Sequence, residues 1–115
     1  MKVVACMLFF VLVGRSETIT GRHVRLETIE DAGQFAVAVA VPSNSKADRA
    51  IVTYQFWHND SKFGRLLLTR SAVVELAGDN LVMADAVLAS RRDIKRIEVV
   101  LVKDVQTEQF DMVMR

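Results

Sequence analysis

The segment AIVTYQFWH, Ala50 to His58, holds the only Trp and the only Tyr of the 115-residue chain, with one of its six Phe. Its composition is β-branched and aromatic, and it alternates with period two. Ala50, Val52, Tyr54, Phe56 and His58 fall on one face, and Ile51, Thr53, Gln55 and Trp57 on the other. This predicts a strand with the even-numbered set toward a core. A strand of that length crosses a small sheet, and its apolar face requires a second layer to cover it.

Working outward, HVRLETI (His23 to Ile29) alternates with Val24, Leu26 and Thr28 on one side and Arg25 and Glu27 on the other. The turn residues Glu30 to Gly33 follow, Gly33 being free to take positive φ. FAVAVAV (Phe35 to Val41) sets Phe35, Val37, Val39 and Val41 against Ala36, Ala38 and Ala40. Pro42 and a polar turn end it. After the Asn59–Lys62 turn, residues 65–76 are expected to form two strand segments with a bend or bulge near Ser71; a single helix competes on the spacing of Leu66, Leu67, Arg70 and Val74. Ala77 to Asn80 is a further turn. Leu81 to Ala89 is read as a strand, although its alanines make it the most helix-like stretch. A charged connection at Arg91–Asp93 leads into a strong strand, Ile97 to Val102, and Glu108 to Arg115 reads as the closing strand. About seven short strands separated by turns predict an all-β fold, a sandwich of two antiparallel sheets.

The N-terminus has a different character. Lys2 precedes an apolar run, Val3 to Val13, followed by the small residues Gly14 and Ser16, the layout of a cleaved secretory signal over residues 1–16. The run is shorter than the roughly 20 apolar residues of a membrane span. Cleavage after Ser16 leaves one domain, residues 17–115, from which the chain's single cysteine, Cys6, has gone. Disulfides, thiol nucleophiles and cysteine metal sites are then excluded from the mature domain. Loss of Lys2 and Arg15 changes the formal charge from +1 to −1, which gives no reason to expect nucleic acid as a partner.

Few residues offer chemistry. His23 and His58 are the only histidines, too few for a zinc site, with Asp60 the sole hint of a ligand pair beside His58. Ser61, His58 and Asp60 lack any nucleophile-elbow motif, and no phosphate loop or dinucleotide fingerprint occurs. An enzyme is not expected, nor a metal, a cofactor or a small-molecule substrate. The basic cluster Arg91, Arg92, Lys95 and Arg96 reads as a solvated loop before it reads as a site for an acidic partner. Trp57 is expected to be at least partly buried; exposed beside Thr53 and Gln55 it would form a contact platform.

In strand order and turn spacing the chain resembles the CsgC family of curli assembly proteins. The likeness rests on the signal-like N-terminus, on HVRLETIEDAGQF (23–35), on DRAIVTYQF (48–56) and on VVELAGDNLVMADAVLASRRDIKRIEVVLV (73–102). It implies an immunoglobulin-like sandwich in the periplasm, exported through the cleaved signal. The implied function is that of a chaperone that transiently binds an amyloid-forming curli subunit and inhibits its premature polymerisation. A monomer is expected. The family's Cys-x-Cys pair falls here on Lys46 and Asp48, so no redox role transfers, while Arg49 is retained just after it. Client contacts are expected from Arg49, Thr53, Gln55, Trp57, Arg65 and Arg70, taken to lie on or beside strands and to point away from the core. The alternative is a structural or adhesive sandwich module, part of a pilus or secretion apparatus, without chaperone activity.

Overall fold

A computed structural model describes residues 15–103 and 106–112; the signal-like segment up to residue 14 lies outside the described residues. The described chain forms two four-stranded antiparallel sheets. The first contains β1 (Arg15–Thr20), β2 (Arg25–Asp31), β3 (Gln34–Ala40) and the short β6 (Val82–Met83), in that spatial order. In the second, β5 (Gly64–Glu75), β4 (Arg49–Asp60), β7 (Ile94–Val102) and β8 (Gln106–Asp111) lie side by side in that order. The expected two-sheet, all-β sandwich is therefore what the chain forms.

The core lies between the sheets. Leu26, Phe35, Val37 and Val39 from one layer meet Val52, Tyr54, Ile97 and Val99 from the other, all fully buried. Each such side chain contributes about 1.5–3 kcal/mol by leaving water. The even-numbered face of β4 is the inner one, as its alternation predicts, but it ends at Phe56; His58 has run past the covering sheet and is exposed. Phe35 and Tyr54 meet edge to face with ring centroids 6.0 Å apart, and the Tyr54 hydroxyl accepts a hydrogen bond from the Val37 amide at 3.1 Å.

Turn chemistry sets the register of both hairpins. At β2–β3 the two loop residues, Ala32 and Gly33, have φ of 53° and 78°, the two-residue type I′ geometry. At β4–β5, Asp60 Oδ1 accepts the amides of Lys62 (2.7 Å) and Phe63 (2.9 Å), and Gly64 takes φ of 83° to re-enter the sheet.

Four expectations are corrected. β5 is one continuous strand: Thr53 pairs with Ser71 within an unbroken register from Asp60↔Gly64 to Arg49↔Glu75, with no bulge. Its polar Thr69-Arg70-Ser71 centre reflects an edge strand exposed on most of both faces. The bulge lies instead in β7, where Gln55 pairs with Arg96 but Phe56 with Ile94, leaving Lys95 as the extra residue. That insertion lets Ile94 and Ile97, three apart, both point inward.

Residues 81–89 form only the two-residue β6. The chain then runs along β3, with Ala84 donating to Val37 O and Val87 exchanging hydrogen bonds with Phe35. The exposed pair Asp85-Ala86 bows out, so inward residues change parity from Val82 and Ala84 to Val87 and Ala89. The closing strand runs from Gln106 to Asp111, earlier than expected, and residues 113–115 lie outside the described residues. Finally β1, largely polar and not anticipated, pairs along its length with β2. The expected cleavage point after Ser16 falls inside it.

Polar stitches close the β1/β8 side of the sandwich. Glu108 on β8 accepts the backbone amides of Arg22, of His23 at 2.8 Å and of Val24 at 3.3 Å, holding the β1–β2 connection of the other sheet. Gly21 sits against this carboxylate with no room for a Cβ. Arg91 binds Met112 O at 2.8 Å and Glu17 at 3.4 Å, and its amide donates to Glu30 at 2.8 Å.

Candidate binding surface

The odd-numbered side chains of β4 and their lateral partners on β5, β7 and β8 pave the outer face of the second sheet. One row carries Ser71, Thr53, Glu98 and Gln109; the next carries Thr69, Gln55, Arg96 and Asp111. Both are tied across the strands. Thr53 and Ser71 share a hydroxyl hydrogen bond at 2.9 Å, Gln109 donates to Glu98 at 2.8 Å, and Arg96 pairs with Asp111 at 2.9 Å. On one side of these rows lie Val73, Ile51 and Val100; on the other Leu67 stands opposite Trp57.

Of the six expected contact residues, Arg49, Thr53, Gln55, Trp57 and Arg65 share this outer face. Arg65 covers Trp57, its guanidinium carbon 4.7 Å from the ring centroid. Trp57 is thus half-buried, but beneath an arginine rather than beneath the second sheet. Arg70 is a correction: it pairs with Tyr54, whose side chain is in the core, so it projects from the opposite face of β5. It stays exposed there because β5 lies at the sheet edge.

The edge itself is the feature the sequence reading did not identify. Among the described residues β5 pairs with β4 on one side only, so a twelve-residue strand carries an open row of backbone donors and acceptors. Alongside it Val73 is 66% exposed, Leu67 40% and, at the hairpin tip, Phe63 70%. Leu66-Leu67-Leu68 signals the exposed apolar side chains but not the edge: in a two-layer sandwich three successive apolar residues of a strand leave at least one on the solvent side.

The other sequence features find structural duties. The basic cluster is dispersed, with Arg91 holding β8 and Arg96 paired to Asp111. Asp60 serves the hairpin turn, and those two amide donors hold its carboxyl below the ordinary Asp range. Asp48, at one of the two positions matching the family's cysteines, pairs with Lys103 at 3.1 Å, which lowers its pKa. Lys46, at the other, is exposed. Among the described residues no three His, Cys, Asp or Glu side chains converge in a metal-binding group, and no helix is long and apolar enough to cross a membrane. Among the described residues an open cleft of about 260 Å³ lies beside Arg22, His23 and Asp79, and another of about 490 Å³ lies outside the first sheet between Ile29, Ala36 and Met83.

Comparison with models of known protein families, with curated proteins and with solved structures returns no match. The surface must therefore be read from its own chemistry: an open strand edge, flanked by a ladder of hydroxyl and amide groups and by an arginine-covered tryptophan.

Proposed function

We propose that the protein is a strand-capturing chaperone of the curli type, exported to the periplasm, which delays polymerisation of an amyloid-forming subunit. The observation that carries this reading is the open β5 edge with Leu67 and Val73 exposed beside it. Cross-β growth proceeds by adding a strand to a free edge and locking its side chains against a neighbour. A client segment hydrogen-bonded to β5 has one edge occupied, and on the far side of β5 lies β4, already paired to β7. Growth in that direction stops at a folded domain. Arg65, Trp57, Gln55 and Thr53 supply weak side-chain contacts next to the captured strand, consistent with a transient complex.

Export follows from the signal-like N-terminus. Cleavage after Ser16 would retain Glu17, whose carboxylate pairs with Arg91. N-terminal sequencing of the secreted protein checks the position.

The functional test adds the purified protein, well below equimolar amounts, to a polymerising curli subunit and follows dye-reported fibre growth. A lengthened lag is expected, and charge reversal at Arg65 should shorten it again while circular dichroism stays unchanged. An unaltered lag with the native protein would reject the chaperone reading and leave a structural or adhesive module.

A further inference from the structure

We propose that two copies of this chain associate edge to edge, β5 pairing antiparallel with the β5 of a second copy about a two-fold axis at Arg70. This inference goes beyond the proposed function and does not rest on it.

Among the described residues the sandwich has one long unprotected margin. On the other side, β1 and β8 are stitched together by Glu108 and Arg91, whereas β6, which shares the β5 margin, is only two residues long. An antiparallel partner strand also places residues of the same face opposite each other. With the axis at Arg70, Arg65 faces Glu75 of the second copy, Leu67 faces Val73, and Thr69 faces Ser71, all on the outer face; Leu68 faces Ala72 on the other. Each of these pairs occurs twice by symmetry. Charges are matched, exposed apolar side chains are covered, and hydroxyls meet hydroxyls. Neighbouring registers lose this match: an axis at Thr69 sets Arg65 against Val73, and one at Ser71 sets Leu67 against Glu75.

Arg65 is positioned for its part. Its guanidinium carbon lies 4.7 Å from the Trp57 ring centroid, and a guanidinium that stacks on an aromatic ring by its face keeps its N–H edges for a carboxylate. Only the Arg70 pair on the axis opposes the arrangement, like charges meeting across strands. The result is a continuous eight-stranded sheet, and the dimer occupies the same backbone groups that a captured client would use.

Sedimentation velocity over a range of loading concentrations tests this in the absence of any client. The native protein should show a concentration-dependent monomer–dimer equilibrium. Arg70→Thr, which removes the repulsion on the axis, should tighten it by about three- to fivefold, and Glu75→Arg, which sets arginine against Arg65 twice, should weaken it by about tenfold. The double variant Arg65→Glu with Glu75→Arg recreates both pairs with signs exchanged and should recover most of the loss. Circular dichroism establishes that each variant is folded. A monomer at every concentration for both the native protein and Arg70→Thr would overturn the proposal. So would a Glu75→Arg variant that dimerises like the native protein, or a charge-swapped double variant no better than Glu75→Arg alone.

Discussion

Tyr54 and Val37 join the two sheets through the middle of the core: the Tyr54 hydroxyl accepts the Val37 amide hydrogen bond at 3.1 Å. The contact has a cause in the neighbouring chain. Residues 84–87 follow β3 but bow away at Asp85-Ala86, so the Val37 carbonyl is used by Ala84 and both polar groups of Phe35 by Val87. The Val37 amide, between them, takes a side chain from the opposite sheet instead. The tyrosine in the central strand is therefore a polar residue with a defined partner, not an interchangeable aromatic filler.

Tyr54→Phe should destabilise the domain by about 1–3 kcal/mol, because it strands a buried amide while removing little apolar volume. The same site makes stability pH-dependent. Burial, followed by the nearby Asp85 charge, outweighs the Val37 hydrogen bond and raises the Tyr54 pKa from 10.0 to about 12. A raised folded-state value favours the protonated form. The associated stability is present below pH 10 and is lost as pH climbs toward 12, a change on the order of 2–3 kcal/mol. Denaturant melts of native and Tyr54→Phe proteins between neutral and strongly alkaline pH should converge as pH rises.

Residue alternation discloses the two layers because burial in a sandwich has the same period as a strand. Val24, Leu26, Phe35, Val37, Val39, Val52 and Tyr54 all read correctly for that reason. Where the structure breaks the period, the reading fails: at Lys95, where the bulge turns Ile94 inward, and at Asp85-Ala86, where the chain leaves β3. β1 was hidden because Ile19 is its only apolar residue and its stability comes from pairing with β2. Five of the six surface residues fall on one face since four share a strand and parity. The free edge of β5 was not legible, because lateral neighbours are set by how strands are ordered in space.

Ala32 holds φ of 53° in the β2–β3 turn, where a Cβ is unfavourable by roughly 1–2 kcal/mol. Asn accepts this conformation readily, and Asn-Gly is the preferred pair for such a turn. Ala32→Asn should therefore stabilise the domain by about 0.5–1 kcal/mol, read as a higher denaturation midpoint with an unchanged denaturant slope. Ala32 is exposed, so no packing loss offsets the gain.

Glu108 and Gly21 form a single device. A Cβ at residue 21 would lie 2.7 Å from Oε1 of the carboxylate, so Gly21→Ala must push Glu108 off the amides it binds. Glu108→Ala removes the same hydrogen bonds directly. Each change should cost about 1–3 kcal/mol, and the double variant should cost scarcely more than the worse single one, since the second substitution acts on a contact already lost. Urea melts of the four proteins provide the cycle; additive losses would mean that the two residues act separately.

Trp57 is the only tryptophan, so the Arg65 guanidinium 4.7 Å above its ring can be followed by fluorescence without a label. Arg65→Ala removes the cover and should shift the emission to longer wavelength by exposing the indole to water. Its cost in stability should be small, about 0.5–1 kcal/mol, because the pair lies on a solvent-facing surface. Arg65→Lys separates charge from shape: an ammonium keeps the attraction but lacks the planar group that stacks, so its spectrum should fall between the other two. A native-like spectrum for Arg65→Ala would show that the ring is shielded by Leu67 across the strand instead, and the apolar neighbour, not the cation, would then define this part of the surface.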